Sequence, residues 1–212
     1  MEILRNYIEK ESFKIIDDLM DNPKLSAEEK EIRSRVVHAS GDTELYWKLV
    51  ISKGAIDVSV KALKSKCNII TDSRMVEAGI RKNWLKDNGN KHFCAIDRSD
   101  IFNKSEITGK TRAALAIQSL KEYLPGSIVI IGNAPTALFE LLSIIREAKK
   151  YKPSLIIGMP VGFVGADTSK NSLVIQDEIP YITLPGTRGG SNLASSVFNA
   201  LINIFIMRSN ND

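Results

Sequence analysis

His38 is the side chain whose type and position in the sequence best suit proton transfer. It lies in the segment RVVHASGD (35–42), in the last turn of a predicted helix, and Arg35 lies three residues earlier on the same face. Histidine gains or loses a proton near neutral pH, which suits it to general acid–base chemistry. The residues alone leave a second interpretation open, in which His38 only caps its helix. His92, the other histidine, is expected at the surface or at a sheet edge.

A glycine-rich loop with a basic residue could hold an anionic ligand. Residues 184–191 (LPGTRGGS) join a predicted strand to a predicted helix, and Ser191 is the expected N-cap. Gly189 and Gly190 leave the helix N-terminus open, and Arg188 adds a fixed positive charge. These features favour a carboxylate or phosphate site.

A second loop has similar chemistry without the charge. Residues 131–138 (IGNAPTAL) leave a strand and open a helix, with Pro135 in its first turn and Asn133 or Ala134 as the N-cap. The exposed N–H groups of such a helix start can bind an anion. A capped helix start without any ligand remains the alternative for both loops.

Residues 158–166 (GMPVGFVGA) form an apolar loop in which three glycines permit close approach of another surface. That surface could be a ligand, a neighbouring element or a dimer partner. The loop lacks the GxGxxG spacing of a dinucleotide site, and the GK[ST] of a phosphate-binding P-loop is absent.

Two histidines and the separated Cys67 and Cys94 form no recognisable metal site. We therefore expect neither a cofactor nor a metal.

The elements that position these residues divide near residue 66. Helices are expected over 3–20, from Ser26 toward Ala39, from a cap at Asp42 or Thr43 through Val50, and over about 54–65. After residue 66, short apolar runs predict strands, and helical stripes separate several of them. This alternation predicts a parallel sheet with helices on both faces and with ligands at the carboxyl ends of its strands. The predicted strands are 67–71, 92–96, 127–131, 155–159 and 181–184.

Length and composition limit the class of protein. With 212 residues, 43% hydrophobic and 25% charged, the chain has the composition of a globular protein, and its length indicates one domain over 1–212. It has neither an apolar run long enough for a membrane span nor a leader-like N-terminus, so a cytoplasmic location is expected. The net charge of +4 slightly favours an anionic ligand. No basic patch points to nucleic acid, and no membrane association is expected.

Five segments, in this order and spacing, resemble the precorrin-8X methylmutase family over nearly the whole chain. They are RVVHASGD (35–42), TDSRMVEAGI (71–80), IGNAPTAL (131–138), GMPVGFVGA (158–166) and GTRGGS (186–191). The resemblance implies a three-layer α/β/α, flavodoxin-like fold with a mainly parallel five-stranded sheet and an N-terminal helical segment. It also implies a homodimer. The implied reaction moves a methyl group from C-11 to C-12 of a polycarboxylate tetrapyrrole, precorrin-8 or cobalt-precorrin-8, by a 1,5-sigmatropic shift.

The resemblance also implies roles for particular residues. His38 matches the family's catalytic histidine, and Ser12 and Arg112 match its substrate-binding serine and arginine. With the loop residues and the neighbouring arginines, the expected substrate-binding set is Ser12, Arg35, Arg81, Arg112, Asn133, Thr187, Arg188, Gly189 and Gly190. His38, as an imidazolium, is expected to act as a general acid on a ring nitrogen near the migrating methyl.

The sequence departs from the family pattern at three places. Ala113 stands where the family has a serine, and Arg81 stands where many relatives have a threonine. GTRGGS (186–191) shifts or halves the basic position of the family's loop.

Two other functions compete with the methylmutase. One is an α/β enzyme that uses a nucleotide or phosphate, and the other is a carrier that binds a corrinoid without converting it.

Overall fold

The core of the computed structural model, which describes residues 2–20 and 23–210, is a six-stranded sheet in the order β1-β6-β5-β4-β2-β3. All neighbouring strands are parallel except β1, which pairs antiparallel with β6 at the edge. Without β1, the strands follow the order 2-1-3-4-5 of flavodoxin-like sheets. The strands are β1 (Val50–Ile51), β2 (Ile69–Thr71), β3 (His92–Phe93), β4 (Ile128–Ile131), β5 (Leu155–Gly158) and β6 (Tyr181–Thr183).

Helices cover both faces of the sheet. They are α1 (Glu2–Leu19), α2 (Ala27–Ser40), α3 (Glu44–Lys48), α4 (Ala55–Lys64), α5 (Arg74–Gly79), α6 (Lys82–Asn88), α7 (Ser99–Thr108), α8 (Arg112–Ser119), α9 (Pro135–Glu147), α10 (Ala166–Ile175) and α11 (Ser191–Ser209). Short 3-10 turns follow at Lys121–Tyr123 and Lys149–Tyr151. Within the described part of the chain, no helix combines the length and apolar composition that crossing a bilayer requires.

The strands are buried on both faces, which explains their continuous apolar runs. Side chains alternate along a strand, so Ile128 and Ile130 pack with α2, α4 and α11, whereas Val129 and Ile131 pack with α8 and α9. The result is two apolar layers on either side of the sheet. The predicted α/β/α architecture and the five parallel strands are confirmed.

The prediction of only five strands was incomplete. We expected a helix over 43–50, but α3 ends at Lys48 and Val50 begins β1. β1 has two half-buried residues, and pairing of Val50 with Thr183 adds it to the sheet edge. A strand of two residues is too short to show an alternation of apolar and polar side chains. The helical pattern of the preceding residues was therefore extended over it.

The ends of α2 set the position of His38. Ser26 and Glu29 form the predicted capping box, in which each side chain accepts a hydrogen bond from the other residue's backbone N–H. At the other end Gly41 adopts φ 68°, and its N–H donates to the Val37 carbonyl at 2.8 Å. Because glycine takes this left-handed conformation without a Cβ penalty, α2 ends at Ser40, two residues after His38.

Candidate active site

His38 is hydrogen-bonded to Ser12. The Nδ1 of His38 lies 2.9 Å from the Ser12 Oγ, and the imidazole stacks on the Phe13 ring with 4.9 Å between centroids. Among the described residues, no group hydrogen-bonds to Nε2. When Oγ donates to Nδ1, or when the ring is protonated, Nε2 carries a proton that faces outward. The arrangement therefore resembles an oriented proton donor.

An apolar groove of about 480 Å³ surrounds this pair. Its lining comes from α1, from the end of α2 and from the turn that follows α2. The lining residues are Tyr7, Ile8, Glu11, Ser12, Ile15, Ile16, Val37, His38, Gly41 and Thr43. Several apolar side chains of α1 are solvent-exposed there. A proton donor beside exposed apolar surface suits a large, flat, apolar ligand with a basic atom.

Loop 186–190 lies next to the end of α2. Arg188 forms ion pairs with Asp42 and Glu44, and these two carboxylates flank Thr43 of the groove. Asn192, at the start of α11, donates to the Ala39 carbonyl at 3.2 Å. The structure thus brings Arg188, predicted from a distant loop, to the edge of the groove.

Glycine is required in this loop for steric reasons. A Cβ on Gly189 would lie 2.3 Å from the Met159 carbonyl oxygen. Gly190 has φ 130°, a conformation unfavourable to residues with a side chain, and its N–H donates to the same oxygen. Thr187 accepts a backbone hydrogen bond from Gly162. Loop 158–166 therefore packs directly on loop 186–190.

The start of α11 differs from the prediction. Gly190, not Ser191, is the N-cap, because the backbone of Ser191 is already helical. The N–H groups of Gly189, Ser191 and Asn192 have no hydrogen-bond acceptor among the described residues. Unpaired N–H groups at a helix start are donors of the kind that can bind an anion, and an anion at this position stays a prediction.

The start of α9 does not remain open. The buried carboxylate of Asp72, directly after β2, accepts from the N–H groups of Gly132, Asn133 and Ala134 at 3.1, 2.9 and 2.8 Å. Burial raises the pKa of Asp72, and these three hydrogen bonds oppose the increase. Ala134 is the N-cap, one of the two expected residues. The anion predicted to bind here is therefore a side chain of the protein itself.

Arg112 is the first residue of α8, and the start of α8 contacts the start of α9. The Thr111 Oγ donates to the Thr136 Oγ at 2.7 Å, which joins the start of α8 to the start of α9. Arg112 and Asn133 are both solvent-exposed. No described residue forms an ion pair or hydrogen bond with the Arg112 guanidinium. Arg112 is thus a cation available to a ligand.

Arg35 and Arg81 lie in another environment. The Arg35 Nε donates to Glu31 at 2.8 Å, and its guanidinium lies 4.8 Å from the Phe13 ring centroid. The Arg81 guanidinium donates to the side-chain Oδ1 of Asn203 at 2.7 Å, and the Asn203 Nδ2 donates in turn to Glu31. A hydrogen-bonded chain therefore links the two arginines, and neither lines the groove around His38. Their contacts with substrate stay predictions.

Sequence reasoning overlooked two buried charged residues, Asp72 and Lys170. Lys170 is fully buried in α10 and donates to the Arg188 carbonyl at 2.7 Å. Asp72 had a weak signal, since it follows a strand at the carboxyl edge, where polar residues collect. Lys170 had no such signal, because its neighbours in sequence do not mark it as buried.

Within the described residues, no group of three or more histidine, cysteine or acidic side chains could hold a metal.

Comparison with known proteins finds relatives that match most of this chain. The sequence model of precorrin-8X methylmutase matches residues 7–204. The cobalt-precorrin-8 methylmutase of Leptospira interrogans is 38% identical over 92% of this chain and 91% of its own. The precorrin-8X methylmutase of Pseudomonas aeruginosa is 39% identical over 84% and 85%, respectively. The crystal structure of precorrin-8X methylmutase from Thermus thermophilus superposes with a TM-score of 0.87 at 33% identity, covering 96% of this chain and 97% of that one.

These similarities define the class first. The relatives are methylmutases, so the protein is an isomerase that transfers a methyl group within one molecule. The chain belongs to the precorrin-8X methylmutase family of cobalamin biosynthesis.

Proposed function

We propose that this enzyme moves a methyl group from C-11 to C-12 of precorrin-8 or cobalt-precorrin-8, giving hydrogenobyrinic or cobyrinic acid. One bond to the methyl carbon breaks as the other forms, so substrate and product are isomers and no redox partner is needed. The observation that carries the proposal is the His38–Ser12 hydrogen bond beside an apolar groove. The names of the relatives support the choice of substrate.

His38 acts as the general acid in this proposal. Its Nε2 donates a proton or a hydrogen bond to a ring nitrogen near the migrating methyl, which polarises the conjugated ring. Ser12 fixes the imidazole through Nδ1. Because charge develops as the methyl moves, the interaction is stronger in the transition state than in the ground state, and the barrier falls.

The carboxylates of the substrate meet the cations and open N–H groups of the loops. Arg112 is available without breaking a protein contact, and the start of α11 offers backbone donors. Arg188 is engaged by Asp42 and Glu44, so a substrate carboxylate must replace or join these partners. Arg35, Arg81, Asn133 and Thr187 complete the proposed set.

Replacing Arg112 by alanine should weaken substrate binding. A charge-assisted hydrogen bond contributes about 1.5–3 kcal/mol, so KM should rise by roughly 10- to 100-fold while kcat changes little. Steady-state kinetics with precorrin-8 measures both constants. Arg146→Ala removes an equal charge from the last turn of α9, away from the start of α8 where Arg112 lies, and is the matched control. Equal KM values for the Arg112 variant and the wild type would exclude Arg112 from the site.

We also propose that the enzyme is a cytoplasmic homodimer, with loop 158–166 at the interface. Phe163 and Val164 are 95% and 90% exposed, an unusual exposure for apolar side chains on one loop. Phe163→Asp should shift the protein from dimer to monomer in sedimentation velocity. Ile107→Asp, at an apolar residue of α7 that is 83% exposed, should leave the dimer intact. A Phe163 variant that sediments like the wild type would place the interface elsewhere.

The direct test of the reaction is turnover of precorrin-8, with and without cobalt, by the purified protein. The absorption spectrum of the ring reports the change in conjugation. We expect conversion to the spectrum of hydrogenobyrinic or cobyrinic acid, and the faster substrate identifies the natural form. Tight binding of both forms without conversion would contradict the proposal and support a corrinoid carrier instead.

A further inference from the structure

α10 holds loop 186–188 with two charged side chains that lie one helical turn apart. The Asp167 carboxylate accepts from the Gly186 N–H at 2.9 Å. The Lys170 ammonium donates to the Arg188 carbonyl at 2.7 Å. The two residues thus bind opposite ends of a three-residue segment, and both bonds come from one rigid helix.

Burial of Lys170 at this position carries a large desolvation free energy. Its relative exposure is 0%, and an ammonium loses its hydration when it is buried. Burial lowers the pKa of Lys170 to about 8, and the Asp167 carboxylate opposes this decrease. A methionine would fill similar space without that cost. Packing alone therefore does not account for the lysine.

The bond to Lys170 determines where the next peptide group points. In a trans peptide, the C=O and the following N–H point in opposite directions. The Arg188 carbonyl faces Lys170 in α10, so the Gly189 N–H faces away from α10. This N–H has no acceptor among the described residues, and neither does the Ser191 N–H at the start of α11.

We propose that Lys170 is a positioning residue for the substrate: it orients the Arg188–Gly189 peptide so that the Gly189 N–H and the start of α11 receive a substrate carboxylate. Its positive charge adds to that of Arg188 and of the helix N-terminus. This inference rests on the proposed function, since it assumes the polycarboxylate tetrapyrrole as ligand.

Lys170→Met tests the inference through two measurements. In kinetics with precorrin-8, KM should rise about tenfold or more, the loss of one charge-assisted contact, with kcat within about threefold of wild type. Hydrogen exchange, which needs no substrate, should quicken at the hydrogen-bonded amides of Gly186 and Gly190 and stay unchanged in the central strands. Lys170→Gln, which keeps a donor but not the charge, should give a smaller KM increase and serves as the second variant if the methionine variant does not fold.

Lys152→Met is the matched control. Lys152 precedes β5, at the amino end of the strand and opposite the end that carries the loops, and it pairs with Glu178, so its loss should leave KM unchanged. An unchanged KM in both Lys170 variants, or a fall in kcat alone, would overturn the inference. If wild-type protein does not bind precorrin-8, the proposed function fails. Unchanged exchange at Gly186 and Gly190 would separately show that Lys170 does not hold the loop.

Discussion

His38→Ala lowers the turnover of precorrin-8 by about 10²- to 10⁴-fold, the range for loss of a general acid, and leaves folding and substrate binding nearly intact. His38 is solvent-exposed, so its removal creates no buried cavity. The proton donor is lost from the transition state, while the apolar groove and the cations remain. Single-turnover kinetics and titration with product separate the two effects.

Two further variants make this result specific. Ser12→Ala should reduce turnover less than His38→Ala does, because Nε2 remains but the imidazole loses the hydrogen bond that orients it. His92→Ala is the control, since His92 lies at the sheet edge beside Glu77 and away from the groove. Turnover of the His38 variant within about threefold of the His92 variant would exclude a proton-donating role.

Of the variants proposed for this protein, Asp72→Ala is expected to lose the most folding stability. The substitution leaves the N–H groups of Gly132, Asn133 and Ala134 without their acceptor, and each buried unpaired donor costs about 1–3 kcal/mol. Partial access to water reduces the sum, so the free energy of unfolding should fall by about 3–5 kcal/mol. Urea denaturation followed by circular dichroism measures this change.

Two control variants test whether the loss of stability comes from the acceptor oxygens of Asp72 and from its buried position. Asp72→Asn keeps one acceptor oxygen and should cost less than the alanine variant. Asp97→Ala removes an exposed carboxylate that pairs with Arg74, and an exposed ion pair contributes at most about 1 kcal/mol. If the Asp72 and Asp97 variants lose equal stability, the carboxylate does not hold the start of α9.

Much of the fold could be predicted from local pattern. β4 and β5 are continuous apolar runs, and the capping box at Ser26 and the glycine at Gly41 mark both ends of α2. The pattern did not resolve the short helices α5, α6, α7 and α10. Tertiary packing, rather than a clear apolar stripe, stabilises helices of six to ten residues. The edge strand β1 depends on its partner β6 in the same way.

The site was less predictable because its contacts are distant in sequence. Ser12 and His38 are 26 residues apart on different helices, and only the resemblance to the family joined them. Asp72 reaches a loop 60 residues away, and its carboxylate occupies a helix start that sequence reasoning had left open to a ligand. Lys170 contacts a carbonyl 18 residues further along the chain. No local spacing encodes such contacts.

A crossover measurement tests the central claim, an intramolecular methyl shift, most directly. Precorrin-8 carrying ¹³C in the migrating methyl is mixed with precorrin-8 carrying ¹⁵N in the ring, and the enzyme converts the mixture. The account predicts product that carries one label or the other, with the ¹³C methyl on C-12 by NMR. Product that carries both labels in one molecule would mean that the methyl passes between molecules, and a methyl that stays on C-11 would mean that the enzyme does not catalyse the shift.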